Sequence, residues 1–137
     1  MGGDETVFGR TLYSGRPVAR PMSRHAIIFL SSPSEPGKFA NGLTYARQLD
    51  EAGHDVAVYF DGDATRLFTQ LDDLPEPAAV AYEAARERDL VAGVCDHCSR
   101  FKGAKEAAEA AGFEIEGREH TPDVAALVEQ GYDVTTI

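Results

Sequence analysis

Hydrophobic and polar positions in this chain alternate between two patterns, short continuous apolar runs and longer stretches with helical spacing. The first run, residues 26–30, is apolar at every position, which is typical of a strand buried on both faces of a sheet. Similar runs at 56–60 and 90–94 predict two more strands, and 132–137 predicts a last one. A weaker run at 113–115 predicts a strand just before the last.

The stretches between these runs have apolar residues at spacings of three and four, which indicates helices. In the first of them, Phe39, Leu43 and Ala46 share one face, and Gly53 ends the helix. Further helices are predicted for the segment carrying Leu67 to Leu71, for residues 78–88, for residues 99–112, and for a segment that begins at Thr121-Pro122 and ends at Gly131.

Strands that alternate with helices predict an α/β fold, here a three-layer α/β/α arrangement with a mainly parallel five-stranded sheet. Residues 25–137 are predicted to form one domain. Residues 1–24 are rich in glycine and proline and show neither the helical nor the strand spacing of apolar residues, so we expect a flexible N-terminal arm. The residues expected to be buried in the strands are Ile27, Ile28, Phe29, Val56, Val58, Val91 and Val94.

Charge narrows the possible partners. The net charge is −10 at pH 7. Residues 1–24 hold four arginines against Asp4 and Glu5, a net of +2, so residues 25–137 carry −12. A body this acidic repels phosphate backbones, so we expect no nucleic-acid partner. Only three of the 13 basic residues are lysines. An acidic, lysine-poor surface favours a salt-loving organism such as a halophilic archaeon, although an ordinary acidic protein is the alternative.

The cellular compartment follows from what the sequence lacks. No apolar run approaches the roughly 18 residues that span a membrane, and the N-terminus has no signal-peptide pattern. Two cysteines spaced C-x-x-C are not the disulfide framework of a small secreted protein. We therefore expect a cytoplasmic protein with no membrane partner.

The strongest chemical signal is Cys95-Asp-His-Cys98, directly after the third predicted strand. Reactive groups of open α/β sheets gather at the carboxyl ends of strands, and a helix N-terminus lowers the pKa of a thiol. Arg100 and Lys102 would add to this effect, whereas Asp96 would oppose it. Thiolates are the nucleophiles of disulfide exchange and persulfide formation, so the pattern favours sulfur chemistry.

The sequence gives weaker evidence for two further residues that could support the cysteines. His97, between the cysteines, could donate or accept a proton, although an ordinary solvated histidine is the simpler interpretation. Ser32 lies in the loop after the first strand, which could form a crevice opposite the cysteines or only start a helix.

Other interpretations of the cysteines remain open. C-x-x-C is also a half zinc site, for which His97, His120, His54 or His25 could supply nitrogen. Because a second C-x-x-C is missing from the sequence, we expect no metal and no cofactor. Both cysteines could instead be small buried hydrophobic residues. Asp61 and Asp63 have the spacing of a cation site, but capping and turn formation explain them more simply.

The order of these features resembles the DsrE family, which includes sulfur-relay subunits. The matching stretches are Ala26-Ile-Ile-Phe-Leu, residues 52–60, the turn at 61–64, Val91-Ala-Gly-Val-Cys95-Asp-His-Cys98 and the closing residues 132–137, so the resemblance covers residues 25–137. It implies a parallel α/β/α sheet and a homo-oligomer, as a dimer, trimer or hexamer.

The resemblance also implies a function. In the sulfur-relay members a cysteine at this position carries a persulfide, and Cys95 matches it, with Cys98 as a second thiol that the single-cysteine pattern lacks. We therefore expect a sulfurtransferase-like carrier with a protein donor or acceptor of sulfur. A dithiol/disulfide redox protein and a non-catalytic oligomeric binding module remain the alternatives.

Overall fold

A parallel sheet forms the centre of the protein in a computed structural model, which describes residues 22–117 and 119–137. The described residues form four strands: β1 (Arg24–Phe29), β2 (Asp55–Phe60), β3 (Val91–Val94) and β4 (Tyr132–Thr136). Their spatial order is β3-β2-β1-β4, and every neighbouring pair is parallel. The predicted arm, residues 1–24, falls almost entirely outside the described residues and stays a prediction.

Helical segments connect the strands. They are α1 (Pro36–Glu51), a 3-10 segment (Gly62–Asp73), α2 (Glu76–Glu87), α3 (Asp96–Phe101), α4 (Lys105–Ala110) and α5 (Val124–Glu129). Among the residues described, no helix has the length and apolar character that a bilayer crossing requires.

The strand order places the connections on two sides of the sheet. The chain steps from β1 through β2 to β3 in one direction and then returns past β1 to β4. With the right-handed crossovers usual for parallel strands, α1 and α2 lie over one face, and α5, which leads into β4, lies over the other. The earlier part of the β3–β4 connection, α4 and residues 113–115, packs into the same core as α1 and α2. Burial agrees with this, since Ile27 and Val58 on one face and Ala26 and Ala57 on the opposite face are all buried.

The prediction of a fifth strand at residues 113–115 is wrong: the described residues form a four-stranded sheet and this segment is irregular. Its side chains are anchored individually, because the Phe113 ring packs against Phe68 and under the guanidinium of Arg86. The carbonyl of Ile115 accepts a hydrogen bond from the Arg100 side chain. Its backbone is therefore bonded by a side chain where a strand would be bonded by a neighbouring strand.

Two helix predictions also need correction. The single helix predicted over residues 99–112 is two short helices, α3 and α4, because the chain turns at Gly103 with a φ of +73°. The last helix begins two residues later than predicted, with Asp123 as the N-cap whose carboxylate accepts from the N–H of Ala126. The Thr121–Pro122 peptide bond before it is cis.

An aromatic cluster fills the main core under the carboxyl ends of β1 and β2. The Phe29 ring stacks on Phe39 of α1 and on Phe60, with centroids 5.2 and 5.4 Å apart. Phe68 and Tyr82 extend the cluster from the 3-10 segment and α2. Six of the seven strand residues predicted to be buried are buried, and Val56 is partly buried against the same core. This packing fixes the strand ends from which the candidate site projects.

A substitution at Gly42 of α1 can show how tightly this core is packed. A Cβ added there would lie 2.6 Å from atoms of Phe29 and Ile137, whereas a Cβ at Gly37, in the first turn of the same helix, would meet nothing within 4 Å. We predict that Gly42→Ala lowers the free energy of unfolding by about 1–3 kcal/mol through overpacking. Gly37→Ala should leave it unchanged or raise it by about 0.4–1 kcal/mol. Urea unfolding followed by circular dichroism measures both, and equal stability of the two variants would contradict the packing described.

Candidate functional site

The site lies where two neighbouring strands end. Asp61 directly follows β2 and Cys95 directly follows β3, and Phe60 is paired with Val94 in the sheet. The backbone N–H of Asp61 donates to Phe29, and that of Cys95 donates to Phe60, so both residues extend the strand hydrogen bonding by one step. Parallel register therefore brings their side chains to the same edge of the sheet.

Cys95 is fully buried and is the N-cap of α3. Its sulfur accepts hydrogen bonds from the backbone N–H groups of Cys98, at 3.4 Å, and Thr121, at 3.5 Å. His120 Nδ1 lies 3.8 Å from the same sulfur. Two backbone N–H donors and one ring nitrogen are therefore directed at this buried sulfur.

Cys98, one turn along α3, has the opposite environment. Its thiol donates to Asp61 Oδ1 at 3.2 Å, and the same oxygen accepts from the N–H of Gly62 at 2.8 Å. Burial, the hydrogen bond to Asp61 and the neighbouring Cys95 side chain raise the pKa of Cys98 to about 12. At neutral pH Cys98 is therefore a protonated thiol held by a carboxylate.

Helix α3 also holds the segment that carries His120 and Thr121. The Asp96 carboxylate accepts from the N–H of Gly117 at 2.9 Å, and Arg100 Nε donates to the carbonyl of Gly117 at 2.8 Å. The N–H of His97 donates to the carbonyl of Glu119 at 3.3 Å. These bonds pin the segment against α3, and this attachment brings Thr121 and His120 to the sulfur of Cys95.

Four potential ligand or proton-transfer groups converge as a result. One side-chain atom from each of Asp61, Cys95, Cys98 and His120 lies within 4.8 Å of the others. The three elements that supply them are the end of β2, the start of α3 and the loop before α5. We call these four residues the strand-end cluster.

The basic residues expected to support the thiols have other partners. Lys102 pairs with Asp63 at 2.7 Å, and that hydrogen bond and charge lower the pKa of Asp63. Arg100 donates to backbone carbonyls of the segment described above. Asp61 caps the 3-10 segment, as the turn interpretation expected, and also reaches Cys98.

The remaining candidates lie around or away from the cluster. His97 is exposed, and its ring centroid lies 4.4 Å from that of His120. The hydroxyl of Ser32 accepts from Ser34 in its own loop. His25 and His54 share hydrogen bonds with Ser23 at the start of β1, at the opposite end of the strands.

Sequence reasoning gave too little weight to two members of the strand-end cluster. The sequence predicts a turn role for Asp61, although its place after β2 matches that of Cys95 after β3 and signals a shared sheet edge. His120 was one of four histidines considered, and no sequence signal separated it from the others. Its position depends on the hydrogen bonds of Asp96 and Arg100 to residues about 20 positions away.

Comparison with known proteins identifies the chain's family. The model of the DsrE/DsrF-like family matches residues 24–136. The match covers nearly all of the described chain, so the protein belongs to the DsrE/DsrF-like family. A search of curated proteins and a search of solved structures each found no significant match.

The hydrogen bond between Cys98 and Asp61 generates a prediction about reactivity. At pH 8 the raised pKa of Cys98 leaves little thiolate, so its alkylation by iodoacetamide should be slow. Asp61→Asn removes the negative charge but keeps the side-chain size, and we predict that it speeds alkylation of Cys98 by about 3- to 10-fold. Peptide mapping after timed alkylation measures the rate.

Asp63→Asn is the matched control, because Asp63 lies two residues away and pairs with Lys102. In the Asp63→Asn variant, Cys98 should be alkylated at the same rate as in the unmodified chain. If Asp61→Asn also left the rate unchanged, the carboxylate would not be what holds Cys98 protonated.

Proposed function

We propose that this member of the DsrE/DsrF-like family is a sulfur carrier that holds sulfane sulfur as a persulfide on Cys95. The observation that carries the proposal is the environment of the Cys95 sulfur, which accepts two backbone N–H groups and lies beside His120 at a strand end. Family membership supports the same chemistry, because the sulfur-relay members that the sequence resembles carry sulfur on a cysteine at this position.

The loading step needs no external oxidant. The Cys95 thiolate attacks the outer sulfur of a donor persulfide, a new S–S bond forms on Cys95, and the donor's S–S bond breaks. The electron pair of the broken bond leaves with the donor as its thiolate. The sulfane sulfur keeps its oxidation state, so the reverse exchange with an acceptor thiolate delivers it.

Cys98 decides whether the sulfur stays on the chain. A Cys98 thiolate could attack the inner sulfur of the Cys95 persulfide, forming a Cys95–Cys98 disulfide and releasing hydrosulfide. The hydrogen bond from the Cys98 thiol to Asp61 opposes this step, because the proton must leave before the sulfur can attack. The arrangement therefore favours carriage of sulfur over its release.

Access to Cys95 requires movement. Cys95 is fully buried under the segment that carries His120 and Thr121, whereas Glu119 and His120 are exposed. A donor protein can reach the sulfur only when that segment lifts from α3. We propose that docking of the donor or acceptor displaces it. Residence in the cytoplasm and assembly into homo-oligomers stay predictions from the sequence.

A dithiol/disulfide redox protein is the second candidate. The close approach of the two sulfurs favours it, since both lie in a group of atoms within 4.8 Å of one another and both thiols are free. Formation of the disulfide requires an external disulfide as oxidant, which is reduced to two thiols in the exchange. The two candidates differ in the mass of their product.

Intact-mass analysis after incubation with a persulfide donor, such as a cysteine desulfurase with cysteine, tests the proposal. We predict a gain of about 32 Da for the unmodified chain, from one added sulfur. Cys95→Ser should abolish the gain, and Cys98→Ser should preserve it or extend its lifetime, because the second thiol is gone. Circular dichroism checks that both variants fold.

The other outcomes distinguish the alternatives. A loss of about 2 Da without any gain would indicate the disulfide protein. No mass change in a folded chain would indicate a binding module. A gain of mass that survives in Cys95→Ser but disappears in Cys98→Ser would move the carrier role to Cys98.

A further inference from the structure

The geometry points to a second capacity of the strand-end cluster: we propose that Asp61, Cys95, Cys98 and His120 bind one zinc ion per chain. This inference is independent of the persulfide proposal, since it concerns the metal-binding donors of the cluster and requires no sulfur transfer. The sequence alone favoured no metal, because it offered only two cysteines and no means of choosing among four histidines.

The distances agree with tetrahedral coordination. With Zn–S near 2.3 Å and Zn–N or Zn–O near 2.0 Å, neighbouring ligand atoms of a tetrahedron lie roughly 3.3–3.8 Å apart. Cys98 Sγ lies 3.2 Å from Asp61 Oδ1, and Cys95 Sγ lies 3.8 Å from His120 Nδ1. All four donor atoms lie within 4.8 Å of one another, so the longest separations need to shorten by about 1 Å.

The donor types select the metal. Two thiol sulfurs, one imidazole nitrogen and one carboxylate oxygen form a mixed set that zinc accepts, whereas magnesium and calcium take oxygen donors. Zinc binding displaces the Cys98 proton, so the ligand set then carries three negative charges, from two thiolates and a carboxylate, and the divalent ion offsets two of them. Lys102 and Arg100 do not serve as their counter-ions, because Lys102 pairs with Asp63 and Arg100 with backbone carbonyls.

The surroundings hold the donors in place. Cys95 and Cys98 are one turn apart at the start of α3, and the N–H of Cys98 bonds the sulfur of Cys95. A second N–H, from Thr121, bonds that sulfur from the opposite segment. The backbone N–H of Gly62 fixes the Asp61 carboxylate. Such outer hydrogen bonds orient metal ligands and reduce the cost of assembling them.

Zinc binding and sulfur loading would exclude each other, because both use the Cys95 thiolate. Cys95 coordinated to zinc has its lone pair engaged with the metal and cannot attack a donor persulfide. Removal of the ion frees the thiolate and the loop that carries His120. Zinc is therefore predicted to inhibit loading and not to assist it.

The test uses the full chain, reduced and stripped of metal with a chelator. Cobalt(II), a spectroscopic substitute for zinc, should bind one ion per chain and give the intense visible bands of tetrahedral coordination, with thiolate-to-cobalt charge transfer in the near ultraviolet. Zinc should then displace it. Competition with a chromophoric chelator measures the zinc affinity without any sulfur donor present.

The variants Asp61→Asn and His120→Gln make the test specific, because C-x-x-C alone could hold a metal through its two sulfurs. Each should weaken zinc binding at least about tenfold. The matched controls are Asp63→Asn, in the same turn, and His97→Gln, beside His120, and both should stay within about twofold of the unmodified chain. Circular dichroism establishes that each variant is folded.

Two results would overturn the inference: no cobalt or zinc bound by the folded, reduced chain, or unchanged zinc affinity in both Asp61→Asn and His120→Gln. The carrier activity is measured separately on the metal-free chain. If the chain binds zinc but gains no sulfur, the persulfide proposal fails and the zinc proposal stands. If the chain gains sulfur but binds no zinc, the zinc proposal fails and the persulfide proposal stands.

Discussion

The attachment of residues 115–117 and 119–121 to α3 is the constraint on which the candidate site depends. Asp96 and Arg100 hold Gly117 through its N–H and its carbonyl, and His97 holds the carbonyl of Glu119. This attachment buries Cys95, brings the N–H of Thr121 to its sulfur and positions His120. The short helix α3 and its N-cap therefore supply both thiols and the side chains that hold the segment beside them.

The same constraint gives the two cysteines different environments within one turn of helix. The Cys95 sulfur accepts hydrogen bonds, whereas the Cys98 thiol donates one to Asp61, which keeps its proton. This asymmetry is what a carrier needs, since the sulfur must load on one thiol without being expelled by the other. A zinc ion would remove the asymmetry, because both sulfurs would then be thiolate ligands.

The sequence predicted the sheet better than it predicted the site. Continuous apolar runs identified β1 to β4, because burial on both faces leaves a local pattern, and the C-x-x-C directly follows β3, as predicted. The prediction of a strand at residues 113–115 failed where the carbonyl of Ile115 accepts from the Arg100 side chain, an interaction that no local pattern reveals. Asp61 could have been found from its position after β2. His120 could not, since it reaches Cys95 only through long-range bonds in an irregular segment.

Amide hydrogen exchange of the Arg100→Met variant tests the central constraint most directly. Met fills similar volume but cannot donate to Gly117, so the Thr121 N–H should exchange at least about tenfold faster than in the unmodified chain, through local opening. The N–H of Val58, which is bonded to Leu90 in the buried sheet, should exchange as before. Faster exchange at Thr121 alone is the result that the account predicts. Unchanged exchange at Thr121, or equal acceleration at Val58, would contradict it.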